Sequence, residues 1–260
     1  MKIAVLGSGM VGRTMAIDLS TNHEVVSFDA SQHALSILNT KAPAIKTVQA
    51  DLSDYAHYYS MLDGFDIVVT AVPGFMGYKT LEAVISAQKN VVDISFFPED
   101  ALALDALAKE KNVTAITDCG VAPGVSNLVI GRYNELMQVD SFECYVGGLP
   151  KTRKKPFEYK APFSPIDVIE EYTRPARLKE NGTIVTKQAL TEIELMEFDE
   201  IGTLESFNTD GLRSILFTMP HIPNLKEKTL RYPGHAELII ALQRSGFFDT
   251  KPVHKKKESF

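Results

Sequence analysis

Cysteine is scarce in this sequence: Cys119 and Cys144 are the only two in 260 residues. They follow different apolar segments and lack the paired spacing of a metal site, so neither a disulfide framework nor a metal centre is expected. Positive charge is not in excess either. The formal net charge is −6, which removes the attraction that a nucleic acid or an anionic membrane surface relies on. The basic clusters at 151–155 and 255–257 are short and read as solvated surface. No apolar run is long enough to span a bilayer, no signal peptide is expected because the N-terminal apolar run is too short for one, and no internal repeat or low-complexity run interrupts the chain. These absences lead to the expectation of a cytoplasmic protein with no nucleic-acid partner, no membrane partner and no metal.

What is present is concentrated first in MKIAVLGSGMVG. Residues 2–6 read as a short buried strand, and Gly7, Gly9 and Gly12 with the intervening Met10 and Val11 complete G-x-G-x-x-G at the start of a helix running through Leu19. Strand, glycine turn and helix in that order form the dinucleotide fingerprint: the turn, the close approach of backbone to a pyrophosphate and the tight helix–strand packing each require a missing Cβ. The phosphates would meet the free N–H groups of the helix N-terminus. Asp29 ends a second strand over 24–28. A carboxylate there accepts ribose hydroxyls and repels a 2′-phosphate, and no arginine follows in Ala30-Ser31, so NAD is expected as cofactor over NADP.

Helical and strand patterns then alternate: a helix over 31–39, a strand over 45–50, a helix over 53–62, a strand over 66–72, a helix over 78–88, a strand over 91–94, a helix over 98–111 and a strand over 113–117. This predicts an α/β fold, a Rossmann-type doubly wound parallel sheet. Asp51 falls where carboxylates meet adenine, or equally where the next helix is capped. Ala71, Val72 and Pro73 form a strand end that opens toward the ligand crevice, and Asp93 and Asp118 occupy equivalent strand ends. The alternation stops at Cys119. A four-turn helix after Pro123-Gly124, a strand over 141–146, a helix over 166–172, several short strands over 176–207 and helices over 211–217 and 234–245 predict a second α+β domain. The expected division is 1–122 for nucleotide binding and 123–260 for substrate binding and dimerisation.

Six stretches in order, AVPGFMGYKTLEAVISAQKNVVDISFFPED, DCGVAPGVSNLVIGR, YVGGLP, SPIDVIEEYTRPARL, DGLRS and TLRYPGHAE, resemble the lysine 6-dehydrogenases of the saccharopine dehydrogenase family. The resemblance implies NAD-dependent oxidation of the ε-amine of L-lysine to 2-aminoadipate 6-semialdehyde, which cyclises to piperideine-6-carboxylate, with release of ammonia. Saccharopine dehydrogenases, which share the fold, are the alternative. A nucleotide-binding protein without catalytic activity is a third. The resemblance also implies that family members continue beyond the point where this chain stops at Phe260, so a C-terminally shortened second domain, exposed apolar surface and a homodimer through the second domain's sheet are expected.

Oxidising an amine requires a neutral substrate nitrogen and a group that moves protons, for which Lys79, Asp93 and His235 are the candidates. Lys79, if desolvated, would serve as a base, a role the resemblance also implies; otherwise it is a surface lysine. Asp93 is either its buried partner or a turn cap. His235 opens a helix in Pro233-Gly234-His235, as a proton shuttle favoured by the resemblance or as a hydrogen-bonding cap. The substrate carboxylate calls for a guanidinium. Among Arg174, Arg177, Arg213 and Arg231, Arg213 is preferred and Arg174 comes second. Asp210 and Glu171 are the candidate acceptors for the α-amino group of this small amino-acid substrate.

Overall fold

The computed structural model describes residues 1–249; the basic cluster at 255–257 lies outside the described residues. The first half is a six-stranded parallel sheet built from β1 (Lys2–Leu6), β2 (Glu24–Asp29), β3 (Lys46–Gln49), β4 (Ile67–Thr70), β5 (Asn90–Asp93) and β6 (Ala115–Ile116), in the order β3-β2-β1-β4-β5-β6. Strand order reverses at β1, so the crevice for a ligand opens at the carboxyl ends of β1 and β4. Helices α1 (Met10–Leu19), α2 (Gln32–Lys41), α3 (Tyr58–Met61), α4 (Gly74–Ser86) and α5 (Asp105–Lys111) connect the strands. From Ile3 to Leu6, β1 is apolar because both its faces are covered. Ile3 and Val5 pack with Ala16, Leu38 and Val69 on one side, and Ala4 and Leu6 pack with Val68, Leu81 and Val84 on the other.

The second half comprises α6 (Val125–Leu136), β7 (Ser141–Val146), α7 (Pro165–Thr173), β8 (Ala176–Glu180), β9 (Thr183–Lys187), β10 (Glu194–Phe198), β11 (Gly202–Asn208), α8 (Ile215–Thr218), β12 (Asn224–Arg231) and α9 (His235–Arg244). β12 is the hub of a mostly antiparallel sheet. It runs parallel to β7 along one edge and pairs antiparallel with β11 and β8 on the other. The expected α/β Rossmann-type sheet with a second α+β domain is the architecture observed.

Several local expectations need correction. The segment 53–62 forms a 3₁₀ turn at Tyr55–His57 followed by only the short α3, and 98–111 splits into a 3₁₀ turn at Ala101–Leu104 and α5. The helix expected over 211–217 shrinks to α8 because Arg213 adopts a left-handed backbone with φ of 44°. β12 was not anticipated at all. Its sequence NLKEKTLR is rich in charge, yet residues 227–231 are buried. On α6, Val125, Leu128, Val129, Tyr133 and Leu136 form an exposed apolar face.

Candidate active site

The carboxyl ends of the parallel strands face the second sheet across a cleft of about 1290 Å³. One wall holds the glycine turn and strand ends of the first half, and the other is built from β12, α7 and the loops around 147–148, 159–164 and 209–211. Gly7, Gly9, Met10, Val11, Gly12, Asp29, Asp51, Ala71, Val72, Pro73 and Asp118 all line it. A Cβ added at Gly12 would stand 2.0 Å from the Gly7 carbonyl oxygen, whereas one at Gly9 would meet nothing within 4 Å. Gly12 therefore serves helix–strand packing, and Gly9 leaves open space over the turn. Gly9 caps α1 without a side-chain hydrogen bond, which leaves the first helical N–H groups to an anion. The Asp29 carboxylate is fixed by the Ser8 N–H at 2.6 Å and the Ser31 N–H at 2.7 Å. These features fit a dinucleotide. Asp51 lines the cleft but caps no helix: its Oδ1 accepts from the Ser53 N–H and hydroxyl in a local turn, and the N-cap position of the following 3₁₀ turn is Asp54.

The proton-transfer candidates are not brought together. α4 begins at Gly74, whose N–H donates to Asp167 at 3.1 Å. Because the helix starts a turn earlier than expected, Gly77, Thr80, Leu81 and Val84 face inward, and Lys79 is exposed on the outer face. It lines a separate shallow depression with Tyr59 and Glu82. Asp93 is buried behind the cleft wall and is bonded to the Thr70 hydroxyl, not to Lys79. Burial pushes its carboxyl up to about 6 against the hydrogen bonds that favour the anion.

His235 is buried and does not line the cleft. Its Nδ1 lies 2.9 Å from the Phe157 carbonyl, which accepts only from a protonated nitrogen, so in the neutral ring Nε2 accepts from the Tyr172 hydroxyl, also at 2.9 Å. Burial drives the imidazole down to about 4. It is neutral near pH 7 and passes its order to Tyr172, whose oxygen in turn accepts from Arg231 Nε at 3.2 Å.

The guanidinium expectation shifts in the same way. Arg213 pairs with Asp118 at 2.7 Å and donates to the Phe97 carbonyl. With its donors held by the end of β6 and the loop after β5, it clamps the two halves together from behind the cleft. Arg174 pairs with Glu170 one turn away at 3.1 Å and covers the Phe96 ring, and it also stays outside the lining. Asp210 does line the cleft but is gripped by Arg177 through a two-point fork of 3.0 and 2.8 Å. Arg231, on β12, is the guanidinium that lines the second wall, with Glu171 at 2.8 Å and the Tyr159 ring 4.1 Å from its guanidinium carbon.

Sequence reasoning missed Glu227, Thr229, Thr209 and Asp167, all of which line the cleft. Glu227, Thr229 and Arg231 share one face of β12 by the two-residue period of a strand. Lys228 points to the opposite face, where its Nζ meets the Glu192 carbonyl at 2.6 Å and Glu194 at 2.9 Å. Had the strand been recognised, that period would have gathered all three.

Two family models match the chain in succession: "Saccharopine dehydrogenase NADP binding domain" over residues 3–116 and "Saccharopine dehydrogenase C-terminal domain" over residues 120–260. The chain belongs to the saccharopine dehydrogenase family. An NAD(P)-binding Rossmann domain is thereby present in its first half. Within the family, the chain is 25% identical over 266 residues to the mitochondrial alpha-aminoadipic semialdehyde synthase of Mus musculus, a match that covers 95% of this chain and 28% of that protein. It is 25% identical to the NADP(+), L-glutamate-forming saccharopine dehydrogenase of Schizosaccharomyces pombe, with coverages of 95% and 58%. The solved apo saccharopine dehydrogenase (L-Glu forming) of Saccharomyces cerevisiae shares the fold at a TM-score of 0.74 and 22% identity, covering 94% of this chain and 58% of that one. The chain thus spans between about a quarter and three fifths of the length of these relatives. They also overturn the cytoplasmic expectation, since the mouse relative is a mitochondrial protein. Sparse cysteine and mild acidity suit either compartment, so composition had no power to choose between them.

Proposed function

We propose that the protein is an NAD(P)-linked oxidoreductase acting on the C–N bond of an amino-acid amine of the saccharopine type, with NAD as its preferred nucleotide. One observation carries this reading: a nucleotide-fingerprint wall and a wall bearing Arg231, Glu171 and Glu227 face each other across a single cleft. When bound, the nicotinamide supplies the hydride acceptor. In this reading the glycine turn and Asp29 hold the nucleotide, and Arg231, held by Tyr172 and Glu171, takes a substrate carboxylate. The apolar side chains of Phe75, Met76, Phe96 and Phe163 in the lining exclude water from the reacting bond.

Free L-lysine is the second reading, and the balance of charge on the substrate wall favours it. Among the described residues Arg231 is the one guanidinium on that wall, which suits a substrate with one carboxylate better than a substrate carrying three. The division near residue 122 and a homodimer that covers the apolar face of α6 belong to the same proposal. The test is reduced-nucleotide formation by the purified chain with L-saccharopine and with L-lysine, alongside its mass in solution. Turnover of saccharopine is expected, turnover of lysine alone selects the second reading, and turnover of neither leaves a silent nucleotide-binding protein.

Nucleotide preference has its own test. NAD should bind about a hundred-fold more tightly than NADP, corresponding to about 2.7 kcal/mol of repulsion between Asp29 and a 2′-phosphate. In Asp29→Ala the ratio should shrink to within about tenfold. Equal affinities of the wild type in a fluorescence titration would refute the assignment.

A further inference from the structure

Glu227 stands apart from the other acids at the substrate end of the cleft. Asp118 is paired with Arg213, Asp210 with Arg177 and Glu171 with Arg231, while Asp167 accepts the Gly74 N–H. Among the described residues no cation pairs with Glu227. Its Oε2 accepts from the Thr209 hydroxyl at 2.7 Å, and Thr209 is linked to Thr229 at 2.9 Å. A Cβ on Gly211 would stand 2.5 Å from the carboxyl carbon, so the loop presses its bare backbone against the group. Cys144 is its cross-strand neighbour on β7, the acids Asp210 and Glu171 bear on it, and Arg231, on the same face of β12, is held by Glu171. A carboxyl that is 3% exposed and surrounded by hydroxyls, a thiol and other acids keeps its proton. Burial pushes it up to about 8. It therefore carries an O–H at neutral pH and borders the cleft.

In the reaction proposed above, the neutral substrate amine would give hydride to the oxidised nucleotide and become an iminium ion, and water adding to the iminium carbon releases one proton to solvent and leaves a neutral carbinolamine. We propose that Glu227 is the catalytic acid that breaks this carbinolamine, an inference that rests on that reading of the function. Its O–H proton passes to the amine nitrogen as the C–N bond breaks, and the bond's electron pair remains on nitrogen. A lone pair of the hydroxyl oxygen closes the C=O bond, and the hydroxyl proton returns to the Glu227 carboxylate. The products are an aldehyde and the free amine, and the residue is restored. Thr209 and Gly211 are positioning residues for it.

The test compares the full chain with Glu227→Gln, following reduced-nucleotide formation from both amines between about pH 6 and about pH 10. The wild type should lose kcat as pH rises through about 8, where the acid ionises. In Glu227→Gln, kcat should fall about a hundred-fold, KM and nucleotide affinity should stay within about threefold, and the alkaline limb should disappear. A variant with kcat within about threefold of the wild type and the limb intact, or with the change confined to KM, overturns the proposal and leaves the function standing. Absence of turnover by the wild type with either amine removes the reading of function and the proposal with it. Should the variant fail to fold, infrared titration of the wild type decides. A protonated carboxyl band that vanishes at the pH where kcat falls supports the assignment, and the lack of such a band overturns it.

Discussion

Replacing Gly12 by alanine is expected to abolish nucleotide binding and to cost the fold about 3 kcal/mol. The added methyl would stand 2.0 Å from the Gly7 carbonyl oxygen and 3.2 Å from the Ala71 side chain. The first of these neighbours is backbone and cannot swing aside, so α1 must lift off the sheet, and the N–H groups at its start leave the position the phosphates need. Affinity for NAD should drop at least about a hundred-fold, or about 2.7 kcal/mol. Gly9→Ala is the matched control. Nothing in the protein lies within 4 Å of its new methyl, so stability should change by less than about 1 kcal/mol while affinity still falls, because the methyl intrudes on space reserved for the ligand. Thermal melts and nucleotide titrations on both proteins separate the two roles. A Gly12→Ala protein that melts and binds like the wild type would refute this assignment.

Arg231→Leu should carry the second large effect. The guanidinium is buried and joins Glu171, the Tyr172 hydroxyl and the Leu230 carbonyl. Burial already raises the Glu171 carboxyl, and Arg231 opposes that shift. Removing the arginine strands a partly buried carboxylate at the cleft wall, for which a loss of about 3 kcal/mol is expected in urea denaturation. Adding Glu171→Gln should recover a large part of that loss, since no unpaired charge then remains. A single-variant loss under about 1 kcal/mol, or no recovery in the double variant, would show that the pair does not hold the wall of the cleft.

How far the site was readable depended on the distance over which its parts are encoded. The nucleotide wall is local: Gly7 to Gly12 and Asp29 belong to one strand–helix–strand unit, and their neighbours in space are mostly their neighbours in the chain. The substrate wall is assembled from segments far apart. Arg213 sits 95 residues from Asp118, with which it pairs, and His235 is ordered by Phe157 and Tyr172. The sequence offered four arginines with equal chemistry, and each is paired with an acid, Arg213 with Asp118, Arg177 with Asp210, Arg174 with Glu170 and Arg231 with Glu171; only the placement of Arg231 in the lining of the cleft distinguishes it. Lys79 went astray through a single boundary, because a helix beginning at Gly74 turns that side chain to solvent.

The sequence by itself determined the class of fold, the nucleotide wall and the family, because periodicity, glycine spacing and ordered motifs are properties of short stretches. Only the tertiary structure decided which charged residues line the cleft. β12 shows the reason. A central strand normally declares itself by apolar residues, but this one carries Glu227, Thr229 and Arg231 toward the cleft and Lys228 toward Glu194. Its charges are tolerated in burial only because partners from α7, β10 and the loop at 209–211 satisfy them. Those partners are brought together by the fold, and no local pattern in the chain announces them.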